Sequence, residues 1–475
     1  MVQHVPVTTG QQAAIEPAGT VRRGLALLVA GGMFMEILDG TVIAPAAPHI
    51  ADGFGVPAVA VNVAVTAYVL TLAVLVPISG WLADRFGARR IFLTAILVFT
   101  LASAGCALAP SLPVLTATRV IQGAGGAMMV PVGRLVVLRT TAKSDLIRAI
   151  AYLTWPALVA PVIAPALGGV LATYASWRWI FVLNVPLGLA GAVLTLWLVP
   201  DLRGEPRRLD WCGFLLTAVG VAALVVGLES VGSTRPDPAV YATSLAVAGA
   251  ALAVGVVYLL RTAHPLVDLR ILRTATFRVT AFGGSVYRAV IAAIPFLLPL
   301  FFQLAFGWSA ALAGLLVIAL FAGNVGIKPA TTPLMRRFGI RTVMLAAVGA
   351  SALILAAMAL LQPTTPMPLL VALLVASGVA RSIGFTAYNS AAFADVPAER
   401  MTSANTLSAA LQELGSGLGV AVGALLVRLG GSLGFAAGGG GFRFAFVLLA
   451  VIFLVPAVEA FLLPRSAGAV VTGRG

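Results

Sequence analysis

The sequence predicts an all-α polytopic membrane protein of fourteen transmembrane helices, arranged as two six-helix bundles with two further helices inserted between them. Three observations carry that expectation. Of 475 residues, 60% are hydrophobic and only 10% charged, with a mean hydropathy of +1.05, far outside the range of soluble globular domains. Apolar runs of about 20 residues, enough to cross roughly 30 Å of hydrocarbon at 1.5 Å per residue, recur along nearly the whole chain. The basic residues behind a net charge of +14 collect in the short segments on one side of those runs.

Taken in order, residues 1–20 are polar and rich in Gly, Thr and Gln, without the basic start and short apolar core of a cleavable signal. A cytoplasmic tail is therefore expected over 1–24. Runs at 25–48, 58–79, 91–110, 113–138, 149–173 and 177–199 make an N-terminal bundle over 25–199. The inserted pair, 211–230 and 240–260, lies in a linker over 200–278. Runs at 281–305, 309–330, 342–361, 367–388, 404–427 and 444–463 make a C-terminal bundle over 279–464, and 465–475 form a second tail. An even number of spans puts both termini on one side. Of the 30 Lys and Arg residues, 21 fall on that side, five lie inside spans, and only Arg178, Arg235, Arg428 and Arg443 fall opposite. The positive-inside rule then places both termini in the cytoplasm.

The same distribution accounts for the basic charge without nucleic acid, which would need a solvated basic face. Only Lys143 and Lys328 are lysines, an arginine bias typical of GC-rich bacterial coding, so a bacterial plasma (inner) membrane is expected. Cys106 and Cys212 both fall in apolar runs, and the three histidines at 4, 49 and 264 have no paired spacing. No disulfide, metal site or hydrolytic centre is expected from them. A phosphate-binding loop of the GxxxxGK[ST] type is also absent from the sequence, which leaves direct ATP drive unsupported. The expected partner is the bilayer, with a monomeric chain and no resident cofactor.

An internal repeat supports the two-bundle plan. Shifted by 252 residues, PISGWLADRFGAR (Pro77–Arg89) aligns with PATTPLMRRFGIR (Pro329–Arg341), with Pro, Leu, Arg, Phe, Gly and Arg coinciding. Each copy follows the second span of a six-span block once the inserted pair is set aside, as in transporters built from parallel repeats.

The first span carries the most informative side chains. Glu36 and Asp39 are three residues apart with apolar residues on both sides, so on a helix they share a face. An ionised carboxylate in hydrocarbon is costly and usually faces a partner or a water-filled path. In the fourth span Arg119 needs such a partner, because a buried guanidinium is tolerated only when paired. Gly123, Gly125 and Gly126 follow it and let a neighbouring helix approach closely.

Five stretches together resemble the major facilitator superfamily, in its fourteen-span, EmrB/QacA-like drug:proton antiporter branch; the sub-branch most resembled is the MdtD/HsrA-like one. They are LDGTVIAPAAP (Leu38–Pro48), GWLADRFGARR (Gly80–Arg90), RVIQGAGGAMMVPVGR (Arg119–Arg134), PALVAPVIAPALGG (Pro156–Gly169) and SWRWIFVLNVPLG (Ser176–Gly188). The chain departs from the pattern where Ala44 or Pro45 stands for an asparagine, and where Ala160 and Ala164 stand for commoner glycines.

The resemblance implies the major facilitator fold and proton-coupled export of amphipathic or lipophilic compounds by alternating access. Asp39 is then the principal proton site, with Glu36 and Arg119 assisting. Gly80, Asp84, Arg85, Gly87, Arg89 and Arg90 form a cytoplasmic gate, with a charge network among Asp84, Arg85, Arg89 and Arg90. Pro156, Pro161 and Pro165 with Gly168 and Gly169 form a hinge in the fifth span. Gln122, Tyr152, Trp155, Arg288, Gln303, Asn324, Arg381, Asn389 and Glu413 are candidates for a central substrate cavity, and Lys328 is expected to reach for headgroups. An exporter dedicated to one metabolite, a non-transporting receptor and a membrane-embedded enzyme are the alternatives.

Overall fold

The computed structural model describes residues 23–204, 208–232, 237–435, 439–464 and 466–472, with a few side chains inside helices, including those of Pro156 and Pro165, outside the described set. The described residues are helical throughout, with no strand among them. The long helices are α1 (Arg23–Phe54), α2 (Asn62–Phe86), α3 (Ala88–Ala107), α4 (Leu112–Thr140), α5 (Leu146–Tyr174) and α6 (Trp179–Leu198). Then come α7 (Trp211–Gly232), α8 (Pro238–Arg261) and α9 (Ala275–Leu304). Next, α10 joins Ala310–Gly326 to Lys328–Phe338 through a 49° bend. The chain finishes with α11 (Ile340–Met358), α12 (Met367–Ala394), α13 (Met401–Ser432) and α14 (Gly440–Leu462). Among the described residues, 12 helices are long and apolar enough to cross a membrane, and 13 if the bent α10 is one span.

The packing repeats. In the first six helices α1 lies on α5, α4 on α2 and on α3, and α3 on α6. Eight helices further on the same pairs return: α9 on α13, α12 on α10 and on α11, and α11 on α14. Helices α7 and α8 pack chiefly against each other, and α7 also touches α2 and α13. Only 22% and 17% of their apolar windows are buried, against 78% for α4, so they stand at the periphery while α4 is central.

Small residues explain the closeness of the central contacts. A Cβ on Gly125 of α4 would lie 2.7 Å from the Phe99 backbone nitrogen of α3, so the two backbones touch where a side chain would otherwise stand. The repeated loops turn at Gly87 and Gly339, which adopt φ of +94° and +82°, a region that side chains with a Cβ resist. Pro45 and Pro48 lie inside α1 without ending it, and α5 runs as one helix through Pro161. The expected hinge in the fifth span is thus an unbroken helix here. Its Gly168 meets the Val42 carbonyl of α1, whereas Gly169 faces open space.

Candidate functional site

Asp39 lies on α1 with its side chain fully shielded from solvent, and Arg119 of α4, equally buried, forms an ion pair with it. Two uncharged amides complete the coordination of the carboxylate. Gln122 donates through Nε2 at 2.9 Å and Asn184 of α6 donates through Nδ2 at 2.9 Å. Gln122 also accepts from Arg119 at 2.8 Å, and the Asn184 amide donates on to Ser103 of α3 at 3.0 Å. The Tyr68 ring of α2 lies 4.0 Å from the guanidinium carbon of Arg119, near enough for a cation–π contact in a dry site. Five helices therefore converge on one carboxylate. The added bonds lie on the carboxylate side, which offsets part of the cost of burying its charge, while Nε and Nη2 of Arg119 have no partner among the described residues.

The sequence-predicted residues fall into separate groups. Asp39, Arg119 and Gln122 come together, and Gln122 belongs to the carboxylate rather than to a substrate cavity. Glu36 is buried beside them, and its backbone carbonyl accepts from the Tyr68 hydroxyl at 3.5 Å. Glu413 of α13 lies within electrostatic range of Glu36 and of Arg288 and Arg134, and it lines a cavity of about 430 Å³ between α2, α7, α9 and α13. Tyr152 and Trp155 line a different cavity, on α5 and α10.

The remaining candidates do not share either space. Arg288 is buried against the Phe385 ring at 5.0 Å, and Arg381 stands over Phe321 at 5.7 Å. Gln303 donates to Pro299 O of its own helix at 3.1 Å, and Asn389 to Phe385 O of its own helix at 2.7 Å. Asn324 is fully buried between helices. These nine residues therefore line no shared cavity in this conformation: Gln303 and Asn389 bond within their own helices, Arg288 and Arg381 lie against rings of neighbouring helices, and Gln122 is held by Asp39.

The gate residues sit where α2 meets α13. Gly80 is covered by Thr402 and Thr406. Asp84 accepts from Arg139 at 2.9 Å and from Thr402 at 3.2 Å, and Arg139 also bonds Thr402. The expected network of Asp84 with Arg85, Arg89 and Arg90 is absent among the described residues: Arg85 stands over the Trp81 and Phe86 rings, Arg89 donates to Leu196 O, and Arg90 is exposed. The carboxylate prefers Arg139 because α4 brings it to the buried side of the loop. A second tie is new. Arg134 of α4 donates to the Asn405 side chain at 2.7 Å and to its carbonyl at 3.1 Å, and Asn405 returns a bond to Pro131 O at 2.8 Å. Lys328, expected at the headgroups, is instead buried, donating to Thr154 at 2.9 Å and to Thr386 at 2.8 Å. The bend of α10 at Ile327 turns it inward between α5 and α12.

These observations meet the comparisons with known proteins. Residues 29–420 match the Major Facilitator Superfamily model, with a second match over 280–473. Proteins provisionally named multidrug resistance protein MdtD are similar: that of Cronobacter sakazakii is 38% identical over 91% of this chain and 92% of its own. That of Escherichia coli O6:H1 is 38% identical over 85% and 86%, and that of Shigella flexneri 37% over 92% and 93%. Among solved structures, the proton:xylose symporter XylE superposes with a TM-score of 0.64 at 13% identity, covering 94% of this chain and 96% of its own. The human organic anion transporter MFSD10 superposes with a TM-score of 0.63 at 14% identity, covering 93% and 100%. With its repeated six-helix packing, its membrane-length helices and relatives matched along nearly their whole length, the chain belongs to the Major Facilitator Superfamily, as a multi-pass secondary transporter of the bacterial inner membrane and not an enzyme.

Proposed function

We propose that this protein exports small amphipathic or lipophilic compounds in exchange for protons, by alternating access between two six-helix bundles, residues 25–199 and 279–464. The observation that carries this reading is the buried Asp39 carboxylate with its three donors. Protonation of Asp39 removes the charge that gathers Arg119, Gln122 and Asn184, and so loosens α1 from α4 and α6. Glu36, buried one helical turn from Asp39, is the second candidate for a proton on the same face. Multidrug-type substrates are favoured by the names of the relatives.

The ties between the two groups of six are polar and lie toward one end of the helices. They are Thr402 with Asp84 and with Arg139, Asn405 with Arg134, Thr154 with Lys328, and Ser144 O with Arg336. Water can replace such bonds when the bundles rock apart, which supports alternating access. The distribution of basic residues favours the cytoplasm for this end and for both termini. Fourteen spans are the fitting count: α5 has 29 residues and packs along α1, and α7 with α8 supply the inserted pair.

The test is transport in proteoliposomes with an internal pH dye. Asp39→Asn is expected to abolish substrate-driven proton movement while the protein remains folded and inserted. Because removing one partner of a buried ion pair destabilises by about 3–5 kcal/mol, Asp39→Asn combined with Arg119→Gln serves as the better-folded control. Full substrate-driven proton release in either variant would overturn the assignment.

A further inference from the structure

A groove of about 1010 Å³ runs between α5 and α10, walled by Leu27, Tyr152 and Trp155 and bearing Arg148, Lys328 and Arg336. It belongs to neither the Asp39 network nor the Asp84 gate. Its walls are apolar and open sideways, since Leu27 and Trp155 are 55% and 47% exposed. No acidic residue lines it, while three cations do. Arg336 already meets Ser144 O and lies 3.8 Å from Asp145, so the two other cations carry the argument. Lys328 is only 6% exposed, and its two bonds go to neutral hydroxyls. An ammonium has three donors, so one donor remains unanswered among the described residues, and a cation in so dry a place is held as such only when an anion joins it.

We infer that this groove is a binding site for an anionic phospholipid of the inner leaflet, with the lipid phosphate on Lys328 and Arg148 and an acyl chain along Tyr152, Trp155 and Leu27. The lateral opening gives a bilayer lipid access. Charge complementarity selects an anionic headgroup over a zwitterionic one, and the volume lies at the top of the range of about 300–1,000 Å³ for small-molecule pockets. Because Lys328 bonds Thr154 of α5 and Thr386 of α12, a phosphate seated on it strengthens a bridge between the two groups of six helices. The bound lipid thus favours the arrangement in which this end is closed.

The inner-leaflet assignment rests on the cytoplasmic placement proposed above; binding in detergent does not. The full-length protein is titrated with dioctanoyl phosphatidylglycerol, dioctanoyl phosphatidylcholine and inorganic phosphate, read by native mass spectrometry and by thermal unfolding. Phosphatidylglycerol is expected to bind on the order of tenfold more tightly than phosphatidylcholine, a difference of about 1.4 kcal/mol. Lys328→Gln removes most of that preference, and Arg148→Gln, at an exposed position that leaves folding intact, reduces it severalfold. Lys328→Arg retains it. Equal binding of the two lipids by the unmodified protein, equal protection by inorganic phosphate, or an unchanged preference in Arg148→Gln would overturn the site. Labelling of an Arg336→Cys variant from outside intact cells would instead overturn the cytoplasmic placement, with the detergent result unaffected.

Discussion

The two copies of the repeated loop share their turn and differ in their reach. Both turn on a glycine of positive φ, Gly87 and Gly339. Two residues later each places an arginine on a carbonyl of the last helix in its own group of six: Arg89 on Leu196 O and Arg341 on Phe461 O. The divergent position is Asp84 in one and Arg336 in the other, and each of these leans across to the opposite group. Asp84 takes a bond from Thr402 at the start of α13, and Arg336 donates to Ser144 O just before α5. The residues common to both copies build and anchor the turn, while the one that changed sign makes the crossing. The crossings are unequal. Thr402 reaches Asp84 at 3.2 Å where Arg139 of the same group already holds that carboxylate at 2.9 Å, side chains 25% and 20% exposed, whereas Arg336 with Asp145 is 3.8 Å long and the arginine is 50% exposed.

That contrast can be broken in three ways. The largest effect is expected from Asp84→Asn, which removes a charge-assisted contact and should slow transport on the order of tenfold while leaving substrate affinity nearly unchanged; equal losses in turnover and binding would count against a gate. Next is Gly87→Ala, which should destabilise by about 1–2 kcal/mol from the backbone conformation alone, and further because its new Cβ would meet the Asp201 carboxylate. Thermal unfolding measures it, and a shift no larger than at an ordinary helical glycine would refute the structural role of the turn. The smallest belongs to Arg336→Gln, an exposed pair that should cost at most about 1 kcal/mol and lose even that in high salt. A tenfold transport defect there would show the two crossings to be equal after all.

How far the sequence reveals these features follows from the cost of each residue where it stands. Asp39 and Arg119 are legible because a charge in an apolar run demands a partner, and the structure pairs them. Asn184 and Ser103 give no such signal: an uncharged amide or hydroxyl is tolerated in a helix, and only the approach of α3 and α6 makes it a ligand. Gln122 lies one turn from Arg119, a spacing that could have assigned it to the carboxylate. Arg134 ends the motif that begins at Arg119, and its partner Asn405 is 271 residues away, beyond any pattern of period or spacing. Lys328 was hidden by the bend in α10, although Pro329 just after it marked the place where the helix changes direction. The repeat at 252 residues was legible in the loop and reappears in the helix pairings, because a shared turn requires a shared arrangement of the helices it joins.

The glycine contacts described for the fold decide where the molecule can yield. Within each group of six, backbone meets backbone: Gly125 against Phe99, Gly168 against Val42, and Gly378 against Leu320. At these points little or no side chain stands between the backbones to change rotamer, so the helices cannot slide there without losing contact. Between the groups, apolar packing is interrupted by hydroxyls, amides and charged tips whose bonds water can take over one at a time. The protein thus carries two stiff blocks and one seam rich in exchangeable polar bonds, and a mutation that replaces such a bond with a hydrophobic pair should arrest it without altering either block.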